Sequence, residues 1–532
     1  MTTPSQQDQG STVRAILCNV FSLPALLGVL LVGVALMFAR SAGLTVPVQE
    51  TMLHAKIGKD ILATHVFPTT DSYSFTAQHG DCIAFEWLSD LLMALAERRG
   101  GLVGLTWLVS VLVGTVTVLL YYLAYGRCGN SKAAFLACVP VLPLMAPFLY
   151  LRAQLIGAIF LLVTLICLER FRRGNPKALW ILPPLFLIWV NSHASFIFGL
   201  FALGLYWASG LTGFCAGGLR AERWTTTQRL QLLSVALFSV LALTVSPYGT
   251  RMAAFPLEVL HVPVGTALID EYQPLGSVPV LLKVFLALFL PFLLSSVLVR
   301  PAYRIDEMAL LFVGVYAGCV HRRLLVLFVL AFTPMLAVLL ARWVPTYRAA
   351  KDKYLLNAVL MLSVCLAMVK AVLTPQQVQA GVAKAYPVGA AEYLRRHSVP
   401  GPMFNEDSWG DYLIWKFDGE HKVFVDTRTV LYEESGVFQD YARIMYLDRD
   451  VQSLLRKYGI ESCLIDRTAA LATLLAALPD WKKVYGDELV VIFVRESTGA
   501  LTQAQPVSSH ASAGIRSEHR TFNNLCRSVS ER

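Results

Sequence analysis

Long apolar runs separated by short polar breaks make up most of this chain. A helix needs roughly 20 mostly apolar residues to cross the hydrocarbon core of a bilayer. Runs of that kind predict eleven spans, near 16–39, 103–125, 133–150, 154–169, 178–192, 196–214, 231–247, 279–299, 305–320, 324–343 and 355–374. The segment 178–192 is short and holds Pro183 and Pro184. The first run is too long for a signal-peptide core, so it predicts a retained helix behind a polar N-terminus, residues 1–15.

Two stretches break this pattern. Between the first two spans lies a loop, residues 40–102, in which Met52, Leu53, Ile57 and Ile61 recur at helical spacing. That spacing predicts an amphipathic helix over 48–63 lying at the membrane surface. Pro68 ends it, Ser72–Ala77 reads as extended, and 83–98 reads as a second interfacial helix. After Thr374 the pattern becomes mixed. Val423–Asp426, Cys463–Asp466 and Leu489–Val494 alternate as strands, while Ala390–His397, Val451–Tyr458 and Ala469–Leu478 have helical period. This alternation predicts a small α/β domain over 375–497 with a mainly parallel sheet. Residues 498–532 lack periodicity and read as a disordered tail. The expected organisation is therefore a membrane domain over 16–374, an α/β domain and a tail.

Charge placement sets the orientation. Arg127 and Lys132, Arg170 to Lys177, Arg220 to Arg229, Arg300 and Arg304, and Arg342 to Lys353 all fall in alternate loops on the side of the N-terminus. Basic loops mark the cytoplasmic side. An odd number of spans then places the C-terminal domain outside, in the inner (plasma) membrane of a cell. The facing loops hold Gln49–Trp87, Arg152, Asn191–Ser195, Pro247–Pro274 and His321–Arg323.

Composition supports a polytopic membrane protein. The 532 residues are 56% hydrophobic and 15% charged, where a soluble chain carries about 25% charged residues. The net charge of +9 sits in the short loops and forms no basic stripe with stacking aromatics, which argues against nucleic acid as a partner. The ten cysteines form no CxxC pair, and most lie within apolar runs as small hydrophobes. Asn-x-Ser/Thr is absent.

Candidate chemistry gathers in the facing loops. Glu50 and His54 are four apart on one helix face. The carboxylate suits a general base towards a hydroxyl, and the pair equally suits a divalent cation or a solvated helix face. Asp71, in PTTDSYSF, fits a turn as well as a site. Glu86 and Trp87 fit a first-turn dipole partner and an interfacial anchor. Arg152, between two apolar runs on the outer side, calls for an anion: a lipid phosphate or a carboxylate such as Glu271. Asn191 and His193 end a span on the same side, and Asp270 and Glu271 either pair with Arg322 and Arg323 or help bind a ligand. Asp426 and Arg428 end a predicted strand, where ligands often meet open α/β sheets and where an ion pair equally pins a loop. No G-x-G-x-x-G or P-loop is present.

E-x-x-x-H from Glu50, P-x-x-D-x-Y-S-F from Pro68 and E-W-L from Glu86 together resemble the first outer loop of bacterial membrane proteins of the C-type (GT-C-like) glycosyltransferase superfamily. RAQL, WVNSH, SPYG and DEYQP resemble later motifs of the group, and WGDYLIW with VFVDTR resembles its extracytoplasmic domain. The resemblance covers most of residues 16–497. It implies a multi-helix membrane core and transfer of a sugar from a polyprenyl-phosphate-linked donor to a lipid, glycan or protein acceptor on the outer face. Glu50 takes the acidic role by that resemblance, with Asp71 as a second acid and Arg152 towards the carrier phosphate. His54, Glu86, Asn191, His193 and Glu271 then shape the substrate site. The chain departs from the group at Met52 and Leu53, where aromatics are expected, at Glu50 in place of Asp, and at Asp411, where a small residue is usual. Two other functions remain open: a lipid or polysaccharide transporter, and an inactive scaffold of envelope assembly.

Overall fold

A computed structural model describes residues 18–496 apart from 42, 44–48, 79, 147–148, 260–271 and 449. The expected cytoplasmic N-terminus and the expected tail lie outside the described residues, as does Glu271. The protein is a polytopic α-helical membrane protein with a mixed helix–strand domain at its C-terminal end.

Among the described residues, each of the eleven predicted spans contains helix. The helices, in chain order, are α1 (Leu23–Ser41), α2 (Gln49–Thr64), α3 (Trp87–Cys128), α4 (Ser131–Cys138), α5 (Ala153–Arg172), α6 (Leu182–Val190), α7 (Phe196–Ser209), α8 (Thr226–Ala242), α9 (Pro279–Val299), α10 (Ile305–Val320), α11 (Leu325–Leu340) and α12 (Tyr354–Ala371). Among the described residues, six are long and apolar enough to cross a membrane: α1, α3, α5, α9, α11 with the turn before it, and α12. The other five predicted spans are shorter helices or helices in pieces. α8 has 17 residues and α10 has 16. Prolines account for the broken ones. Pro140 and Pro143 divide the segment after α4, and Pro183 and Pro184 stand in the first turn of α6, where a missing N–H is tolerated.

The predicted helix over 83–98 and the span after it follow one another within α3, where non-helical backbone at Gly101 separates two helical segments. Gly101 bends it, with φ 57° and ψ −145°, a conformation that a side chain would strain.

At one end of the bundle, basic residues of the loops predicted to be cytoplasmic meet carboxylates. Arg172 lies 3.0 Å from Asp306, Arg304 lies 2.7 Å from Glu169, and Arg127 pairs with Glu307. Leu162, Phe186, Trp189, Phe328 and Phe332 pack in one apolar core.

The C-terminal sheet has strands β4 (Met403–Asn405), β5 (Ser462–Asp466), β6 (Trp481–Gly486) and β7 (Val490–Arg495); β1 to β3 (Phe214–Ala216, Leu219–Ala221, Tyr303–Arg304) form a small separate sheet. The order is β4-β5-β7-β6. Only β4 and β5 run parallel; the other two pairs are antiparallel, so the expected mainly parallel sheet is corrected. β6 and β7 are joined by a short turn, and such a hairpin is antiparallel by necessity. Val423–Asp426 is not a strand of this sheet. Val423 instead bridges Ser74 of the first outer loop, with Phe75 N–H donating to Val423 O and Val423 N–H donating to Tyr73 O, both at 3.1 Å.

That exchange changes the place of α2. Its apolar residues Met52, Leu53, Ile57 and Ile61 are buried with Tyr412 and Leu413 of helix α13 (Asp407–Lys416). The helix expected at the membrane surface thus packs its apolar stripe against the C-terminal domain, and burying that stripe against protein removes it from water as well as lipid would.

Candidate functional site

Glu50 sits in the first turn of α2, where the helix dipole favours a carboxylate. Arg152 is the residue immediately before α5. Its Nε lies 2.9 Å from Glu50 Oε2. Thr51 Oγ1–H donates to Leu151 O at 2.5 Å and so pins the two elements together beside the pair. Glu50 is the more open partner, with 31% of its side chain accessible against 12% for Arg152.

One turn along α2, His54 faces the start of α3. Its Nδ1–H donates to Asp90 Oδ1 at 2.6 Å, and its Nε2 lies 3.3 Å from Glu86 Oε2. The other oxygen of Glu86 lies 3.5 Å from His193 Nε2. His193 Nδ1 accepts the backbone N–H of Ser195 at 3.0 Å, which leaves its proton on Nε2, towards Glu86. Glu50 and its neighbour Arg152 thus stand at the end of a chain of polar groups running His54, Glu86, His193.

The turn that carries His193 is tied to the first residues of α3. Trp87 Nε1–H donates to Asn191 Oδ1 at 2.8 Å, Leu88 N–H donates to Asn191 O at 3.0 Å, and Ser89 Oγ–H donates to Ser192 O at 2.8 Å. Asn191 spends its amide on Leu187 O and Val245 O, at 2.8 and 2.9 Å. Its side chain therefore holds the turn in place.

Burial and charge set the protonation of the cluster. Burial draws the His54 imidazole down, but Asp90, then Glu86 and Glu50, more than reverse this and raise it to about 10. Burial pushes the Glu86 carboxyl up to about 8, against the pull of His54 and Arg323. Burial, with the charges of Arg323 and His54, lowers His193 to about 3. These shifts favour a charged His54 and a neutral His193, with the Glu86 carboxyl held above its ordinary range.

Asp71 makes none of these contacts. It is buried in its own turn, accepting Ser74 N–H at 2.9 Å, Ser74 Oγ–H at 2.6 Å and Tyr73 N–H at 3.1 Å. Arg428 of the C-terminal domain lies 2.7 Å from it and 2.6 Å from Asp426. Burial raises the Asp71 carboxyl, yet Arg428 and the turn hold it below the usual range. Asp71 and Arg428 thus join the outer loop to the C-terminal domain, and the Asp426–Arg428 pairing pins a loop.

Asp90, buried under His54, was not among the expected site residues. Its signal was Glu86 and Asp90 four apart at the start of an apolar helix. Arg323, which the sequence suggested as a partner of Glu271, stacks on the Tyr272 ring at 4.6 Å and reaches Glu86 and His193 by charge. Among the described residues no group of three or more His, Cys, Asp and Glu side chains is arranged to hold a metal ion.

No protein-family model matches the chain, and no curated protein matches its sequence. Solved structures do. The chain is similar to the Archaeoglobus fulgidus oligosaccharyltransferase tethered with an acceptor peptide containing the NVT sequon, at 12% identity and a TM-score of 0.49, over 81% of this chain and 68% of that one. It is similar to the oligosaccharyltransferase AglB of the same organism in complex with an inhibitory peptide and a dolichol-phosphate, at 12% identity and a TM-score of 0.45, over 89% of this chain and 74% of that one. For the apo form the values are 13% and 0.45, over 81% and 69%.

Proposed function

We propose that this chain is a membrane glycosyltransferase that moves a sugar from a polyprenyl-phosphate-type lipid carrier to an envelope acceptor on the outer face of the plasma membrane. Its N-terminus is cytoplasmic and its C-terminal domain extracytoplasmic. The observation that carries this reading is the pairing of Glu50 with Arg152, 2.9 Å apart, beside the buried His54–Glu86–His193 chain.

In this reading the carrier phosphate draws Arg152 towards itself and away from Glu50. The released carboxylate takes the proton from the acceptor hydroxyl. The acceptor oxygen forms a bond to the sugar C1, the bond from C1 to the phosphate oxygen breaks, and the phosphate leaves with the electron pair beside the Arg152 guanidinium. Asn191 keeps the His193 turn in register with α3. His54, Glu86 and His193 line the polar side of the site. Asp71 acts through the outer loop and the C-terminal domain.

The test is turnover by the purified chain in proteoliposomes, with a panel of polyprenyl-phosphate sugars and with lipid, glycan and peptide acceptors, with and without a divalent cation. Sugar transfer that requires the lipid-linked donor supports the reading. Passage of the intact lipid-linked sugar across the bilayer without transfer points to a transporter instead. Neither transfer nor passage, with co-purification of an envelope protein, points to a scaffold.

A further inference from the structure

We propose that Asp90 is a positioning residue of this site, holding His54 with a proton on both ring nitrogens so that Nε2–H is aimed at Glu86 and a positive charge stays beside Glu50. This rests on the reading that the acceptor is deprotonated at Glu50.

The geometry is built for that contact. Asp90 lies one turn into α3 with 2% of its side chain accessible, and His54 Nδ1 lies 2.6 Å from its Oδ1. A first-turn acid suits the helix dipole, but the dipole alone does not call for its burial against an imidazole. The backbone N–H of Asp90 is already satisfied by Glu86 O at 3.0 Å, and Ser89 next to it serves the Ser192 carbonyl. α2 and α3 touch one turn further on, at Gly58, where an added Cβ would stand 2.1 Å from the Asp90 carbonyl oxygen. A side chain at 58 would push the helices apart and break the short His54–Asp90 bond. Such a pair fixes the orientation of the ring through the nitrogen that does not face the reaction.

The charged groups facing His54 are Glu50 from its own helix and Glu86 and Asp90 from the start of α3. Behind them, His193 and Arg323 face Glu86, and Asp411 of the C-terminal domain faces Glu50. Asp90 has the largest influence keeping His54 charged against burial. Without it burial is opposed less and the imidazole gives up its proton at lower pH, so that it no longer presents a donor and a charge together.

A merely structural ion pair and a positioning residue differ in what pH does. Wild type and Asp90→Asn are compared for kcat and KM between pH 6 and 9, with Asp90→Glu as the conservative variant. The expected result is a kcat for Asp90→Asn near wild type at pH 6, falling roughly tenfold or more by pH 8.5, with KM little changed and partial recovery in Asp90→Glu. A loss that is equal at every pH overturns the proposal. Thermal unfolding in detergent gives an arm independent of turnover. A His held charged in the folded state stabilises fully below its unfolded pKa and loses that contribution as pH rises towards its folded value of about 10. Wild type is therefore expected to lose stability between pH 6.5 and 9 more steeply than Asp90→Asn. Equal slopes overturn the proposal. If wild type transfers no sugar, the glycosyltransferase reading and the positioning role both fail, while the unfolding slopes still decide whether Asp90 keeps His54 charged.

Discussion

Arg152 Nε lies 2.9 Å from Glu50 Oε2, so the residue that opens α5 is paired with the first turn of α2. Both ends of this pair serve the proposed reaction, and removing one changes what the other can do. Arg152→Gln is expected to lower kcat/KM by roughly 10²–10³, the scale of a lost electrostatic contact to developing charge. Residues that act as a unit are not additive. The Glu50→Gln/Arg152→Gln double variant is therefore expected to be little worse than Glu50→Gln alone, which steady-state kinetics in proteoliposomes will measure.

Arg428 joins Asp71 of the outer loop to Asp426 of the C-terminal domain. Arg428→Ala leaves two buried carboxylates without their cation, an exposure that costs about 3–5 kcal/mol when one partner of a buried pair is removed. The variant is expected to unfold at a lower temperature and to be cut by protease between the membrane core and the C-terminal domain. The Asp71 carboxyl is held below its ordinary range, so its contribution is present above the unfolded carboxylate pKa and is lost as pH falls through the lower folded value. Asp71→Asn is accordingly expected to narrow its stability deficit as pH is lowered through that range, read from thermal midpoints in detergent.

Glu86 gives the opposite sign. Its folded pKa of about 8 lies above the unfolded carboxyl value, so the folded state holds the extra proton. The resulting stability is fully present below the unfolded pKa and is lost as pH rises through about 8. Glu86→Gln keeps the shape and cannot titrate. It is expected to lose less stability than wild type between pH 6 and 9, measured by thermal unfolding in detergent at matched salt.

Much of the membrane core was legible because six of its helices are long apolar runs, and that pattern needs no partner to be recognised. The site was legible in part. Glu50, His54, Glu86, Arg152, Asn191 and His193 stand in the facing loops, and the structure brings them into one connected region. What stayed hidden depends on pairing across long stretches of chain. Val423–Asp426 alternates like a sheet strand, but the segment that receives it, Ser74, lies in the first outer loop. The stripe Met52, Leu53, Ile57 and Ile61 is equally apt for lipid or for protein, and only the folded C-terminal domain decides between them. Asp71 has a turn signature that the structure honours, while its charge is answered by Arg428, far along the chain. Asp90 escaped notice because an acid at the start of a helix has an ordinary explanation until His54 is seen above it.

The central claim is that the Glu50 carboxylate is the base for an acceptor hydroxyl. Its most direct test is single-turnover transfer from a polyprenyl-phosphate sugar by Glu50→Gln, alongside donor binding by the same variant. The account predicts transfer slowed by roughly 10²–10⁴ with donor binding kept within a few-fold. Transfer at the wild-type rate by Glu50→Gln would contradict it.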